Sequence, residues 1–119
     1  MISETIHLRK IAYARSGDKG SNSNIGVIAY TAEGYTFLEK YLTAEKVADF
    51  FESLIPGKVI RFELPNLWAL NFILEGVLNG GGTRSLRLDA QGKALGQVLL
   101  EMPIVIPEDQ LYLMYRNNP

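Results

Sequence analysis

Asn24-Ile25-Gly26-Val27-Ile28-Ala29-Tyr30-Thr31 (NIGVIAYT) is apolar at odd and even positions alike, the pattern of a strand buried on both faces near the middle of a sheet. Residues 5–14 (TIHLRKIAYA) are rich in β-formers with rough alternation, and they are expected to pair with it. Between the two lie Arg15-Ser16-Gly17-Asp18-Lys19-Gly20-Ser21-Asn22-Ser23. That segment reads as a polar loop too long for a two-residue hairpin turn: either a solvated connection made of turn formers or a site.

Downstream, residues 35–42 are ambiguous. Thr43 then predicts a helix N-cap, because Val47, Phe50, Phe51 and Leu54 follow at helical spacing while Glu45, Lys46, Asp49 and Glu52 take the other side. Pro56-Gly57 ends that helix. Residues 58–64 (KVIRFEL) alternate, with Ile60, Phe62 and Leu64 on one side and Arg61 and Glu63 on the other, as in a half-buried strand. Residues 67–78 read as a second helix, begun by Pro65 or Asn66. Leu67, Leu70, Leu74, Val77 and Leu78 form its stripe, Trp68, Phe72 and Ile73 widen it, and Glu75 is its single charge. A helix so apolar is expected to be covered on two sides, by its own sheet and by another surface such as a second subunit. Asn71 within it either satisfies local backbone or points into a pocket.

Residues 79–93 (NGGGTRSLRLDAQGK) place three glycines before two arginines, a serine, an aspartate and a lysine. Glycine permits positive φ and close approach of another group, at an entropic cost that a plain connection avoids. Residues 85–88 suggest a short strand. Asp89 then caps a helix over residues 90–101, unless a hairpin turns at Gln91-Gly92. Residues 102–106 read as extended, and residues 111–115 (LYLMY) as an apolar tail that docks on something.

The 119 residues, 47% apolar, suffice for a single domain over residues 1–119 with a sizeable core. A formal charge of −1 gives no global basic field, which argues against nucleic acid and membrane surfaces as partners. Absence of cysteine removes disulfides, thiolate catalysis and cysteine-ligated metals; with no signal-peptide pattern it points to the cytoplasm. A single histidine, His7, removes multi-histidine metal sites and reads as a surface strand residue. No metal and no cofactor is expected.

Charge is unevenly placed. Residues 15–24 and 79–93 hold Arg15, Lys19, Arg84, Arg87 and Lys93 against Asp18 and Asp89, a net +3, and the rest of the chain carries −4. If the two loops meet, they would attract a carboxylate or phosphate, with glycine N–H groups adding a nest. The candidate ligand-binding residues are Ser16, Gly17, Asp18, Lys19, Asn24 and Asn71, with Gly81, Gly82, Arg84, Ser85, Arg87 and Lys93 from the second loop. No Gly-Lys-Ser/Thr follows the glycines as in a phosphate-binding P-loop, and the preceding helical reading excludes the dinucleotide fingerprint. Asp18 and Lys19 could form an acid and base pair, but both are common loop residues; Arg84, Arg87 and Asp89 suit an intramolecular ion pair holding the two loops together as well as they suit ligand contact.

Three segments together resemble the C-terminal domain of the acyclic terpene utilisation protein A family: Ser16-Gly17-Asp18-Lys19-Gly20 with Asn24; Leu64-Pro65-Asn66-Leu67 with Ala69-Leu70-Asn71-Phe72; and Gly80-Gly81-Gly82 with Ser85-Leu86-Arg87 and Gln91-Gly92-Lys93. The resemblance implies a ferredoxin-like α+β sandwich, mainly antiparallel with helices on one face, and a link to breakdown of citronellol-type compounds through coenzyme A thioesters. It implies no catalytic residue. The family's large N-terminal domain has no counterpart in these residues. Two functions follow as expectations: a pocket for an anionic small molecule such as a carboxylate or acyl-coenzyme A, or an assembly module that binds a second copy or another subunit through residues 67–78 and the tail.

Overall fold

The computed structural model describes residues 2–19, 22–52, 58–76 and 95–116. In chain order they form β1 (Ser3–His7), β2 (Ala12–Lys19), β3 (Asn22–Ala29), α1 (Ala32–Tyr41), α2 (Ala44–Phe50), β4 (Val59–Leu64), β5 (Ala69–Leu74), α3 (Leu95–Leu99), β6 (Pro103–Pro107) and α4 (Glu108–Leu111). Single 3-10 turns occupy Leu8–Lys10 and Pro65–Leu67. The main sheet has the order β2-β3-β5-β4 and is antiparallel throughout. β3 and β4 therefore run in the same direction, joined through α1 and α2, with β5 inserted between them. This is the split βαβ arrangement of ferredoxin-like α+β folds, as expected from the sequence. β1 and β6 make a separate antiparallel pair.

Helices α1, α2 and α3 pack on one face of the main sheet. Ile25, Val27, Leu70, Phe72 and Leu74 on that face are sealed from water together with Leu38 and Val47 from the helices. Both early helices begin as their sequence dictates: the Thr31 hydroxyl accepts the Gly34 N–H at 2.9 Å and the Thr43 hydroxyl accepts the Lys46 N–H at 3.1 Å, each satisfying a backbone donor that the first turn leaves free. The ambiguous residues 35–42 thus fall largely in α1.

Two expectations are overturned. The α-helix expected over residues 67–78 is not formed by its described part, residues 67–76; Ala69–Leu74 is β5, a central strand paired on both sides. A short run that is apolar almost all round fits a helix or a doubly covered strand equally well by periodicity, and pairing with β3 and β4 decides. Residues 15–24 are not a long loop either. β2 and β3 stay paired down to Lys19↔Asn22, leaving two residues between them. Their polar residues misled because ladder hydrogen bonds use backbone groups, so a strand end facing solvent tolerates arginine, asparagine and glycine.

Smaller differences have similar causes. Residues 5–14 divide at the Leu8–Lys10 turn, so β1 pairs with β6 and only β2 pairs with β3. Within residues 90–101, Leu95–Leu99 is helical, and residues 90–94 lie outside the described set, as do 53–57 and 77–89. The tail docks on its own domain: Leu111 and Met114 are buried, and the Thr31 hydroxyl donates to the Leu113 carbonyl at 2.9 Å.

Candidate functional site

The strand registers place a second face opposite the core, one that no helix among the described residues covers. Directly opposed residues on antiparallel strands share a face, so three rows cross this surface. They read Tyr13–Ile28–Ala69–Leu64, then Arg15–Gly26–Asn71–Phe62, then Gly17–Asn24–Ile73–Ile60. The alternation in residues 58–64 was legible, but its polar side is the one turned to the helices. Arg61 Nη1 donates to the carbonyls of Glu39 (2.8 Å) and Leu42 (3.1 Å), and Nη2 donates to Glu63 Oε2 at 2.7 Å. Its guanidinium closes the carboxyl end of α1, where carbonyls lack helical partners. Phe62 and Leu64 are left on the open face.

That face is unusually apolar for one that no described helix covers. Phe62 is 50% exposed and Leu67 64%, with Tyr13 and Leu64 exposed beside them; Trp68, 42% exposed, follows in the turn between β4 and β5. Trp68 has φ 53°, in the left-handed region. A bulky aromatic there is strained by about 1–3 kcal/mol, and its carbonyl is held by the Ala29 N–H at 2.8 Å. Tyr13 is set against Tyr30, ring centroids 5.6 Å apart.

Gly17 and Gly26 open a hollow of ≈ 550 Å³ in this surface, edged by Arg15, Asn24 and Asn71 on the polar side and by Tyr13, Ile28, Leu64 and Leu67 on the apolar side. Neither glycine has positive φ. A Cβ on Gly17 would meet nothing within 4 Å, and one on Gly26 would come no nearer than 3.8 Å to Asn71 Oδ1. Among the described residues neither local conformation nor packing therefore calls for glycine, although glycine weakens a strand; such positions commonly mark close approach of another group.

The sequence-predicted residues distribute as follows. Asn24, Asn71 and Gly17 come together at the hollow, with Asn71 on a strand rather than a helix. Ser16 also lines the hollow, but its hydroxyl turns to the covered face, where it accepts the Gly96 N–H at 3.2 Å. Asp18 and Lys19 end β2, paired with Ser23 and Asn22. Gly81, Gly82, Arg84, Ser85, Arg87 and Lys93 lie outside the described residues, so the meeting of the two loops does too. The chain on either side of that segment is anchored at β2–β3: Gly76 N–H donates to Asn22 Oδ1 at 3.2 Å, and Gly96 packs against Ala14 and Ser16. Tyr13, Gly26, Phe62 and Leu64 carry no site signal in the sequence alone, and Arg15 enters there only as charge. Their signal is the shared row, which needs the register.

Among the described residues no cluster of histidine, aspartate and glutamate could hold a metal ion, and no helix is long and apolar enough to cross a membrane. His7 is exposed at the end of β1.

Residues 6–105 match the AtuA ferredoxin-like domain, most of the chain and all of the main sheet. The chain belongs to this family. Comparison with curated proteins and with solved structures gave no match. Membership in the AtuA ferredoxin-like family agrees with the split βαβ sheet and with helices on a single face, and every strand of the open face falls within the matched residues.

Proposed function

We propose that this AtuA-like ferredoxin domain is an accessory assembly module whose open sheet face docks on another folded surface. The carrying observation is the set of exposed Tyr13, Phe62, Leu64 and Leu67 beside a glycine hollow, on the side of the sheet that no helix among the described residues covers. Contiguous apolar surface of this kind marks interaction sites, and aromatic residues dominate the energetics of such contacts. The docking element is thus a sheet face together with the Leu67-Trp68 turn, in place of a helix over residues 67–78. The setting that suits the family resemblance is cytoplasmic breakdown of acyclic terpenoid or related compounds through coenzyme A thioesters. Size-exclusion of tagged chain from its native extract tests the reading. The expected result is migration well above the 13.3 kDa chain, lost in Phe62→Glu; identical migration of both proteins at monomer size would refute it.

A second reading is favoured by Arg15, Asn24 and Asn71 at one hollow. A guanidinium with two amides suits a carboxylate whose apolar part lies along Ile28 and Leu64. Saturable binding of an acyl carboxylate or acyl-coenzyme A, abolished by Arg15→Ala, would support this reading, and unchanged binding in that variant would remove it.

A further inference from the structure

We infer that the surface which docks on the open face is a second copy of this chain, packed sheet to sheet about a two-fold axis running parallel to the strands, between β3 and β5. This inference rests on the docking reading above and names its partner.

The argument is one of size and charge along the rows. Sheets that pack face to face lie about 10 Å apart with strand directions within about 30° of each other, and their side chains interdigitate. A two-fold axis parallel to the strands cannot slide one row past another; each row must face its own reversed copy. Setting the axis between the two central strands covers all four. Gly17 then faces Ile60 of the second copy, Gly26 faces Asn71, Ile28 faces Ala69, Tyr13 faces Leu64 and Asn24 faces Ile73. In three of these five pairings a large side chain meets a small one, as interdigitation requires, and the two glycines that nothing among the described residues explains receive a side chain each. Arg15 faces Phe62 of the second copy, a cation over an aromatic ring. Because the contact is isologous, each pairing occurs twice.

The other in-plane axis, perpendicular to the strands through the middle row, is disfavoured by the same registers. It would set Arg15 against Arg15, and Gly26 against Gly26 over a void. Like charges brought together without water are costly, and an unfilled void forfeits the contacts of everything lining it.

The absence of cysteine makes the arrangement readable by cross-linking. Within one chain, Tyr13 and Leu64 stand three strand spacings apart, about 14 Å; across the inferred axis they are neighbours. Mixed samples of Tyr13→Cys and Leu64→Cys chains, treated with a bismaleimide too short to span 14 Å, should yield covalent dimers, and either variant alone should not. Arg15→Cys alone should not cross-link, whereas self-linking of Arg15→Cys with no 13–64 product would overturn the axis. Sedimentation equilibrium of the purified chain should show a dimer, and Phe62→Glu should weaken it by about 30-fold or more, as loss of a central aromatic contact does, with an unchanged circular dichroism spectrum. A purified chain that stays monomeric throughout the micromolar range overturns the inference. If its size in native extract nevertheless remained large and Phe62-dependent, the docking reading would survive with a different partner.

Discussion

The two faces of the main sheet are built from the same strands and nearly the same residue types, yet they do different things. On the helix-covered face Phe72 is fully sealed, and its direct neighbours on β3 and β4 are Ile25 and Arg61. On the open face the row beside it runs through Gly26, Asn71 and a half-exposed Phe62. One face is filled until even arginine is held by three hydrogen-bond acceptors. The other keeps large apolar groups in water beside glycines that the fold itself does not require. The difference teaches that apolar content alone does not locate a core; what covers a face does.

The sharpest way to break this comparison is a pair of phenylalanines. Phe72→Ala should cost about 3–5 kcal/mol, the usual range for emptying a sealed aromatic site. Phe62→Ala should stay within about 1 kcal/mol, because half of that side chain is already in water. Urea unfolding at one low protein concentration, so that association contributes little, measures both. Similar losses would mean that the two faces are equally part of the core.

The glycines give a second, smaller contrast. A Cβ on Gly96 would lie 3.1 Å from the Ala14 Cβ and 3.3 Å from Ser16 Oγ, so Gly96→Ala has to push α3 away from β2, at about 1–3 kcal/mol. Gly26→Ala makes only ordinary contacts, no nearer than 3.8 Å to Asn71 Oδ1, and replaces a poor strand former, so the isolated chain should lose nothing and gain up to about 1 kcal/mol. Thermal melts of the two variants should move in opposite directions.

The smallest expected effect concerns Tyr35. Its buried hydroxyl has no hydrogen-bond partner among the described residues. Burial first, then the nearby Glu39 and Glu63 carboxylates, raises its pKa above 10.0, opposed by Arg61. The folded state thus holds this proton more tightly than the unfolded chain does. Its contribution is fully present below pH 10.0 and is lost as pH rises through the folded value. Tyr35→Phe should therefore flatten the fall of stability above pH 10.0. At neutral pH it should leave stability unchanged or raise it by about 1 kcal/mol, since a buried donor without a partner is removed. An alkaline denaturation curve unaltered by the substitution would show that Tyr35 is solvated.

Legibility differed by element for physical reasons. Thr31 was not recognised as a cap, while Thr43 was, because only the second precedes a clean apolar stripe. The strand at residues 58–64 was recognised from alternation, yet which side met the core was not, since Arg61 turned inward to reach the end of α1. Gly17, Asn24 and Asn71 were picked out as polar or flexible residues in suspicious places. Their convergence at one hollow depends on pairings between strands 40 to 50 residues apart in sequence.

By itself the sequence determined the α+β class, the central place of β3, the start of α2 and the family, all of which are local patterns or motif combinations that survive without knowledge of neighbours. Only the tertiary structure decided that residues 69–74 form a strand and that residues 12–19 and 22–29 form one continuous hairpin. It also decided which face of the sheet the described helices leave open. Residues 69–74 are a short apolar segment that satisfies helical and extended periodicity at once, so their state is fixed by which backbone groups and which surfaces they find to pair with, and their partner β3 lies far away along the chain; the hairpin's polar side chains hid a pairing made by backbone groups alone.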